Sequence, residues 1–321
     1  MPPLLSIIMP IFNGELFLKE TLLSIREQTY LNWELIIIDD GSTDNSLAIC
    51  DEFVFSHTGK CRILYSPKNR SGAAVCRNIG ILHCKGELVI FLDSDDLLEP
   101  FCLHQRVNGL DENDMAVFKQ FKLEDGRSDK IFNGAAIKRK DAIHAFVRID
   151  APWQTIAPIW RKTALQKLNG FDESLMYMED PDLHLRALLD EKIAIVFRYD
   201  LPPDNYYRLN NMSAEKIEHF YNNSIKSRIK FIRKILSTPQ LMSNDYKNSL
   251  RIGYIIFLKT FVLSRIQLFR TEINEISDEL LRGGIITNID KIKMDFIGKI
   301  YTSNSVLIKV IRLKGLVYKL L

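Results

Sequence analysis

Leu88-Val89-Ile90-Phe91-Leu92-Asp93-Ser94-Asp95-Asp96 passes from five apolar residues straight into three carboxylates. A strand that is apolar at every position, not at every second one, is covered on both faces, which is the habit of parallel sheets. Carboxylates crowded at its exit repel one another unless a cation or a proton intervenes. That suits a hard divalent ion held by one or two carboxylates together with substrate phosphates. The plainer alternative is an aspartate-rich turn capping a helix that begins near Leu97. A calcium loop of the EF-hand kind is excluded, because Leu97 stands where the third ligand belongs and no glycine follows. A phosphatase with an aspartyl nucleophile is disfavoured too, since it would want Thr or Val at that position.

Upstream the same pattern repeats. Leu5 to Met9 reads as a buried strand that stops at Pro10, Glu34 to Ile38 as a second ending in Asp39-Asp40-Gly41-Ser42, and Arg62 to Tyr65 as a third. Helical spacings lie between them: Leu16 to Gln28, with Leu18, Leu22 and Ile25 on one side, then Thr43 to Phe53 and Ala73 to His83. Asp44 sits near the start of the second, where a carboxylate suits free N–H groups. Strands alternating with helices predict an α/β fold with a mostly parallel sheet. Ligands of such sheets bind outside the carboxyl ends of the strands, where Asn13, Asp39/Asp40 and Asp93/Asp95/Asp96 are gathered. Past Leu110 the pattern is mixed, with short strands around Ala116–Leu123 and Ile193–Tyr199, and from about Ala214 it is helical.

Composition sets the bounds. The 321 residues are 46% hydrophobic and 26% charged, enough for a sizeable core without disulfides and far from a disordered or fibrous chain. Five cysteines, an odd number with no C-x-x-C pair, predict reduced buried thiols of a cytoplasmic protein and no zinc site. Met1 to Phe12 has no leading positive charge and no cleavage site, so it does not read as a secretory signal. The longest apolar run, Ile252 to Leu263, is broken by Lys259 and is too short to cross a bilayer. A net charge of +3 gives no reason to expect nucleic acid as a partner. That total hides a division: residues 1–214 hold 24 basic and 31 acidic side chains, whereas 215–321 hold 19 and 9.

Two further motifs carry chemistry. An aspartate of Asp39-Asp40-Gly41-Ser42 can accept from a base edge or a ribose hydroxyl, or simply cap a turn. Neither G-x-G-x-x-G nor G-x-x-x-x-G-K-[ST] occurs, so a bound nucleotide would be held by side chains and metal. Met176-Tyr177-Met178-Glu179-Asp180-Pro181-Asp182 is a second acidic cluster, with Pro181 suited to a first helical turn. Asp180 is then either a helix cap or a general base, its pKa held up by Glu179 and Asp182.

Taken in order and spacing, Pro10-Ile11-Phe12-Asn13, Leu22 to Thr29, Asp39 to Asp44, Gly72 to Asn78, Asp93 to Asp96, Gly170-Phe171-Asp172-Glu173 and Glu179-Asp180 resemble the family 2 inverting glycosyltransferases of bacterial polysaccharide biosynthesis. The resemblance spans about Leu5 to Tyr207. It implies a GT-A fold, Rossmann-like with flanking helices, over residues 1–214. The nucleotide-sugar half would run to about 110 and the acceptor half over about 111–214. It implies that Pro10 and Phe12 line the pocket of a uracil or thymine base, with Asn13 and Ser94 beside the donor and Phe12 where tyrosine is commoner. Asp40 would bond the base, Asp39 would support it or the ribose, and Arg77 would approach the nucleotide. Asp93 and Asp95 would hold ribose and metal, Mn²⁺ or Mg²⁺, with Asp96 a further ligand. Asp180 would be the base that deprotonates an acceptor hydroxyl as it displaces a nucleoside diphosphate from a UDP-sugar. The acceptor would be a glycan or a lipid-linked saccharide.

For the acceptor side the residues themselves suggest Trp153, Glu179 and His184, with Trp160 a weaker candidate; each aromatic could equally be core. Residues 215–321 predict a basic helical region. Lys247, Arg251, Lys259, Arg265 and Arg270 fall within about 140° of one helix at roughly 100° per residue, a face suited to the anionic inner surface of the plasma membrane or merely to solvent. Self-association of the chain is compatible with all of this. Two other functions compete: a sugar nucleotidyltransferase, which would want a glycine-rich loop with a catalytic Lys or Arg after the first strand, and a non-catalytic sugar-nucleotide-binding module. Asn13-Gly14-Glu15 supplies no such loop, and the intact acidic sets disfavour the module.

Overall fold

A computed structural model of the chain describes residues 2–124, 127–132, 138–209 and 214–302. They separate into two compact units, Met1–Ala142 with Ala151–Met212, and Ile143–Asp150 with Ser213–Leu321.

The first unit opens with strictly alternating elements: β1 (Leu5–Ile11), α1 (Glu15–Arg26), β2 (Trp33–Asp39), α2 (Ser46–Ser56), β3 (Cys61–Tyr65), α3 (Ala73–His83) and β4 (Leu88–Phe91). A short β5 (Leu97–Leu98), α4 (Cys102–Leu110), β6 (Met115–Phe118), β7 (Gln120–Leu123) and β8 (Arg127–Phe132) follow. After α5 (Arg139–Val147) come β9 (Pro158–Arg161), α6 (Lys162–Lys167), α7 (Glu179–Leu189), β10 (Ile195–Arg198) and β11 (Asn205–Arg208). Seven strands form a sheet in the order β10-β6-β9-β4-β1-β2-β3, parallel except at β9, which runs antiparallel to both β4 and β6. A second sheet has the order β5-β11-β7-β8. Every residue of β2 and β4 is buried: their apolar residues are covered on both faces, and in β2 Glu34 accepts from Ser6 Oγ and the Lys85 and Gly86 amides.

In the first unit the structure departs from the expected elements in four places. Pro10 does not end β1, which continues to Ile11 with Pro10 opposite Ile38. Pairing with β4 stops at Ile8↔Phe91, so at Pro10 one edge is open and the missing N–H costs no ladder bond. No helix starts near Leu97; Leu97 and Leu98 pair with Tyr206 and Asn205, and the helix waits until Cys102. The helix expected from Thr43 begins at Ser46, with Asp44 accepting from the Ser46 and Glu15 amides and so serving the starts of both α1 and α2. Residues 143–150, expected within the first unit, cluster with the second, where His144 Nδ1 lies 2.8 Å from Ser249 Oγ.

The second unit contains α8 (Ala214–Leu236), α9 (Asn244–Phe257), α10 (Arg270–Arg282) and α11 (Asn288–Thr302). The single basic helix expected over 245–270 is not formed. α9 ends at Phe257, Leu258–Val262 make a wider π turn, Leu263–Arg265 a tighter 3₁₀ turn, and Arg270 opens α10. After Phe257 the changes in residues per turn mean that Lys259 and Arg265 do not continue one regular helix with Lys247 and Arg251. Arg251 pairs with Asp290 and Arg265 with Glu218, so neither serves a common basic stripe.

Candidate active site

The carboxyl ends of β1, β2 and β4 deliver the acidic and aromatic residues to one rim. Phe12, just past β1, is 39% exposed, and the Arg70 guanidinium stands 5.3 Å from its ring centroid. Asn13, at φ 50°, accepts the Thr43 amide at 2.8 Å on its side chain and donates its own backbone N–H to Ser42 Oγ at 3.1 Å. Its side chain therefore ties the β1 loop to the β2 loop. Gly14 lies close to the acidic loop: a Cβ there would stand 2.9 Å from Ser94 Oγ, so the hydroxyl would have to turn away. That close approach sets the start of α1 against the acidic loop, where Thr21 Oγ1 donates to the Ser94 carbonyl.

Asp39 and Asp40 both organise backbone. Asp39 accepts the Gly41 and Ser42 amides at 3.0 and 3.1 Å. Asp40, expected to bond a base directly, accepts Ser66 Oγ at 2.7 Å and the Ser71 and Gly72 amides at 2.8 Å. Both of its oxygens hold the loop that leads into α3. A buried carboxylate is satisfied by such donors, here three.

That loop aims α3, and α3 carries Arg77, which is 2% exposed. Nη2 donates to Asp93 at 2.7 Å, and Nη1 donates to Glu179 and Asp180 at 3.1 Å each. The Phe171 ring lies 5.3 Å from the guanidinium. Arg77, which the resemblance places near the nucleotide, draws the acidic loop after β4 and the acidic start of α7 together through its Nη groups. Burial pushes the Asp180 carboxyl up to about 8, with Arg77 opposing and Glu179 adding to the shift. Burial likewise raises Glu179. The Thr155 amide donates to Asp180, and this segment is itself fixed, since Gln120 accepts the Gln154 amide at 2.9 Å and the buried Arg106–Asp204 pair holds the Ile156 carbonyl at 2.6 Å.

Asp96, which the resemblance offers as a further metal ligand, is held against β11. It is 1% exposed and accepts the Arg208 amide of β11 at 2.8 Å. Burial and the neighbouring Asp95 and Asp93 push its carboxyl well above the usual range. Among the described residues no three His, Cys, Asp or Glu side chains converge on a metal position, so an ion here would need oxygens from the ligand as well. Asp93 and Asp95 are the hard oxygen donors that fit one.

Trp153, Trp160 and His184 are core. All three are at most 1% exposed, with the imidazole 5.5 Å from the Trp153 ring and stacked at 5.9 Å on Trp160. Burial depresses the His184 pKa to about 3, so the ring is neutral and sealed from any acceptor. Sequence reasoning missed Arg70, Tyr207 and Arg208. The Tyr207 phenol is pushed up by burial and then by Asp96, Asp93, Asp95 and Asp180, while Arg208 donates to the Asp95 carbonyl and to Glu20 and lies 4.1 Å from the Phe17 ring. The only local signal was the run Tyr206-Tyr207-Arg208 on a short strand.

Residues 6–156 match the model of glycosyl transferase family 2. An uncharacterized glycosyltransferase of Rickettsia prowazekii is 28% identical over 310 residues, covering 90% of this chain and 95% of the relative. Another, from Haemophilus influenzae, is 39% identical over 115 residues, 36% of this chain and 45% of the relative, so that match spans under half of its length. Among solved structures, S. aureus TarS 1-349 in complex with UDP superposes with a TM-score of 0.65 at 17% identity over 97% of this chain and 91% of that one; the same protein was also crystallised with UDP-GlcNAc. The mannosyltransferase PcManGT of Pyrobaculum calidifontis, in complex with GDP-Man and Mn²⁺, gives 0.52 at 15% identity over 89% and 85%. The chain therefore carries a glycosyl transferase family 2 domain on a GT-A fold and is a glycosyltransferase.

Proposed function

We propose that the chain transfers a sugar, with inversion, from a nucleoside-diphosphate sugar to a hydroxyl of a glycan or lipid-linked saccharide during cell-surface polysaccharide synthesis. A UDP-sugar is the favoured donor. The observation that carries this reading is the Arg77 junction, which sets a carboxylate of raised pKa, Asp180, beside the acidic exit of β4. A group titrating near neutrality can accept a proton from an alcohol as it attacks, a contribution of roughly 10²–10⁴-fold. Asp180 sits in the first turn of α7, and the Thr155 amide and Arg77 hold its carboxylate in place.

On the donor side, the exposed ring of Phe12 offers a stacking face for a base, and Asp39 and Asp40 shape the loops around it. Asp95 and the second oxygen of Asp93 would hold Mn²⁺ or Mg²⁺ against the diphosphate. Such an ion neutralises charge developing on the leaving group. Support for a uridine donor comes from the TarS complexes with UDP and UDP-GlcNAc, and for a metal from the PcManGT complex with Mn²⁺. An acceptor at the cytoplasmic membrane face would fit the basic C-terminal third of the chain.

The test is a donor panel. Each activated sugar is incubated with the chain, Mn²⁺ and a saccharide acceptor, and release of the nucleoside diphosphate is scored. Turnover of one uridine donor, lost on chelation, is expected; release from none, or equal release by Asp180→Asn, defeats the reading.

A further inference from the structure

The helical unit has one face that its own packing does not explain. α11 buries Asp290, Met294 and Ile297 on one side. On the other, Ile289, Ile292 and Phe296 are 66%, 66% and 57% exposed. At about 100° per residue these three fall within an arc of about 60°. Exposed Lys293 borders that arc on one edge and exposed Lys299 on the other, with exposed Asp295 further round, past Lys299. Past α11 the sequence brings Lys309, Arg312, Lys314 and Lys319 and no acidic residue.

A solvated helix face is polar, and a face meant for the unit's core is buried; this one is neither. An apolar ridge with a lysine on each flank matches a helix lying in the plane of an anionic interface. The Ile and Phe side chains enter the acyl boundary while the lysine stems reach back to the headgroups. A second copy of the chain fits less well, because a two-fold contact through this ridge would set lysine flanks near lysine flanks. We infer that α11 is an interfacial docking face for an anionic phospholipid bilayer. The inference deepens the reading of a membrane-held acceptor and rests on it for its purpose. Vesicle binding needs neither donor nor turnover, so either can fail alone.

The experiment uses the full chain with phosphatidylglycerol-containing vesicles and with pure phosphatidylcholine vesicles, read by co-sedimentation. Binding to the anionic vesicles alone is expected, falling as salt is raised. The double variant Ile292→Glu/Phe296→Glu should lose at least about tenfold in binding, and Lys293→Ala about fivefold. Phe296→Trp keeps the face apolar and the helix intact, and its emission should shift to the blue on anionic vesicles. Equal binding to both vesicle types overturns the inference, as does unchanged emission from the tryptophan. So does a double variant that binds like the parent, or one that turns a dimer into a monomer while vesicle binding persists.

Discussion

Arg77 Nη1 lies 3.1 Å from Asp180 Oδ1, joining the third helix of the sheet domain to the first turn of a helix 103 residues later. The arginine holds the carboxylate in place without silencing it. Burial outweighs the opposing guanidinium, so the proton on Asp180 remains exchangeable near neutral pH. Asp180→Asn should therefore bind UDP within about twofold of the parent and lose transfer by about 100-fold or more. Calorimetric titration of UDP beside a transfer assay checks both halves. Loss of UDP binding in step with transfer would make Asp180 a scaffold residue.

The same shift fixes a pH dependence. The free enzyme's kcat/KM should climb with pH through about 8, because only ionised Asp180 can accept the hydroxyl proton. Stability should run the other way. A folded-state pKa raised from 3.8 to about 8 means that the native chain binds the proton more tightly than the unfolded one does. The stabilisation is then full below the unfolded value and is lost as pH rises through the folded one. Denaturant midpoints between pH 4 and pH 8 should fall more steeply for the parent than for Asp180→Asn. Parallel curves would remove the shift.

What could be read from the sequence was what lies close together in it. The apolar run of β4 and the carboxylates at its exit are neighbours, so strand, sheet type and acidic rim were legible together. Arg77 was visible as a residue but not as a junction, because Asp93, Glu179 and Asp180 reach it from separate elements. Trp153 and His184 carry surfaces that suit a sugar or a core equally; only packing between α7 and the segment before β9 decides for the core. Leu97 misled for the opposite reason. Its local context suits a helix start, and a strand arriving from Asn205 overrides it.

Removing the junction should cost stability as well as activity. Arg77→Met leaves Asp93, Glu179 and Asp180 near one another without their cation, and breaking a buried pair from one side typically costs about 3–5 kcal/mol. The loss should be smaller at pH 5 than at pH 8, since Glu179 and Asp180, both raised, take up protons first. Urea denaturation of parent and variant at the two pH values measures this. An equal loss at both would mean that the carboxylates do not repel.

Asp95 and Asp96 are adjacent, yet they should respond oppositely to amidation. Asp96 is sealed against β11 and accepts the Arg208 amide at 2.8 Å, a bond that an asparagine carbonyl can also accept. Its raised pKa also makes the neutral side chain a fair replacement. Asp96→Asn should thus leave the Mn²⁺ concentration for half-maximal turnover within about twofold of the parent. Asp95→Asn removes an anionic oxygen donor from the acidic exit of β4 and should raise that concentration about tenfold or more, since even outer-shell changes cost 10–100-fold in metal affinity. Mn²⁺ titrations of turnover compare the two directly. If Asp96→Asn shifts the midpoint as far as Asp95→Asn does, the buried carboxylate must swing out to meet the ion, and the rim is more mobile than its hydrogen bonds imply.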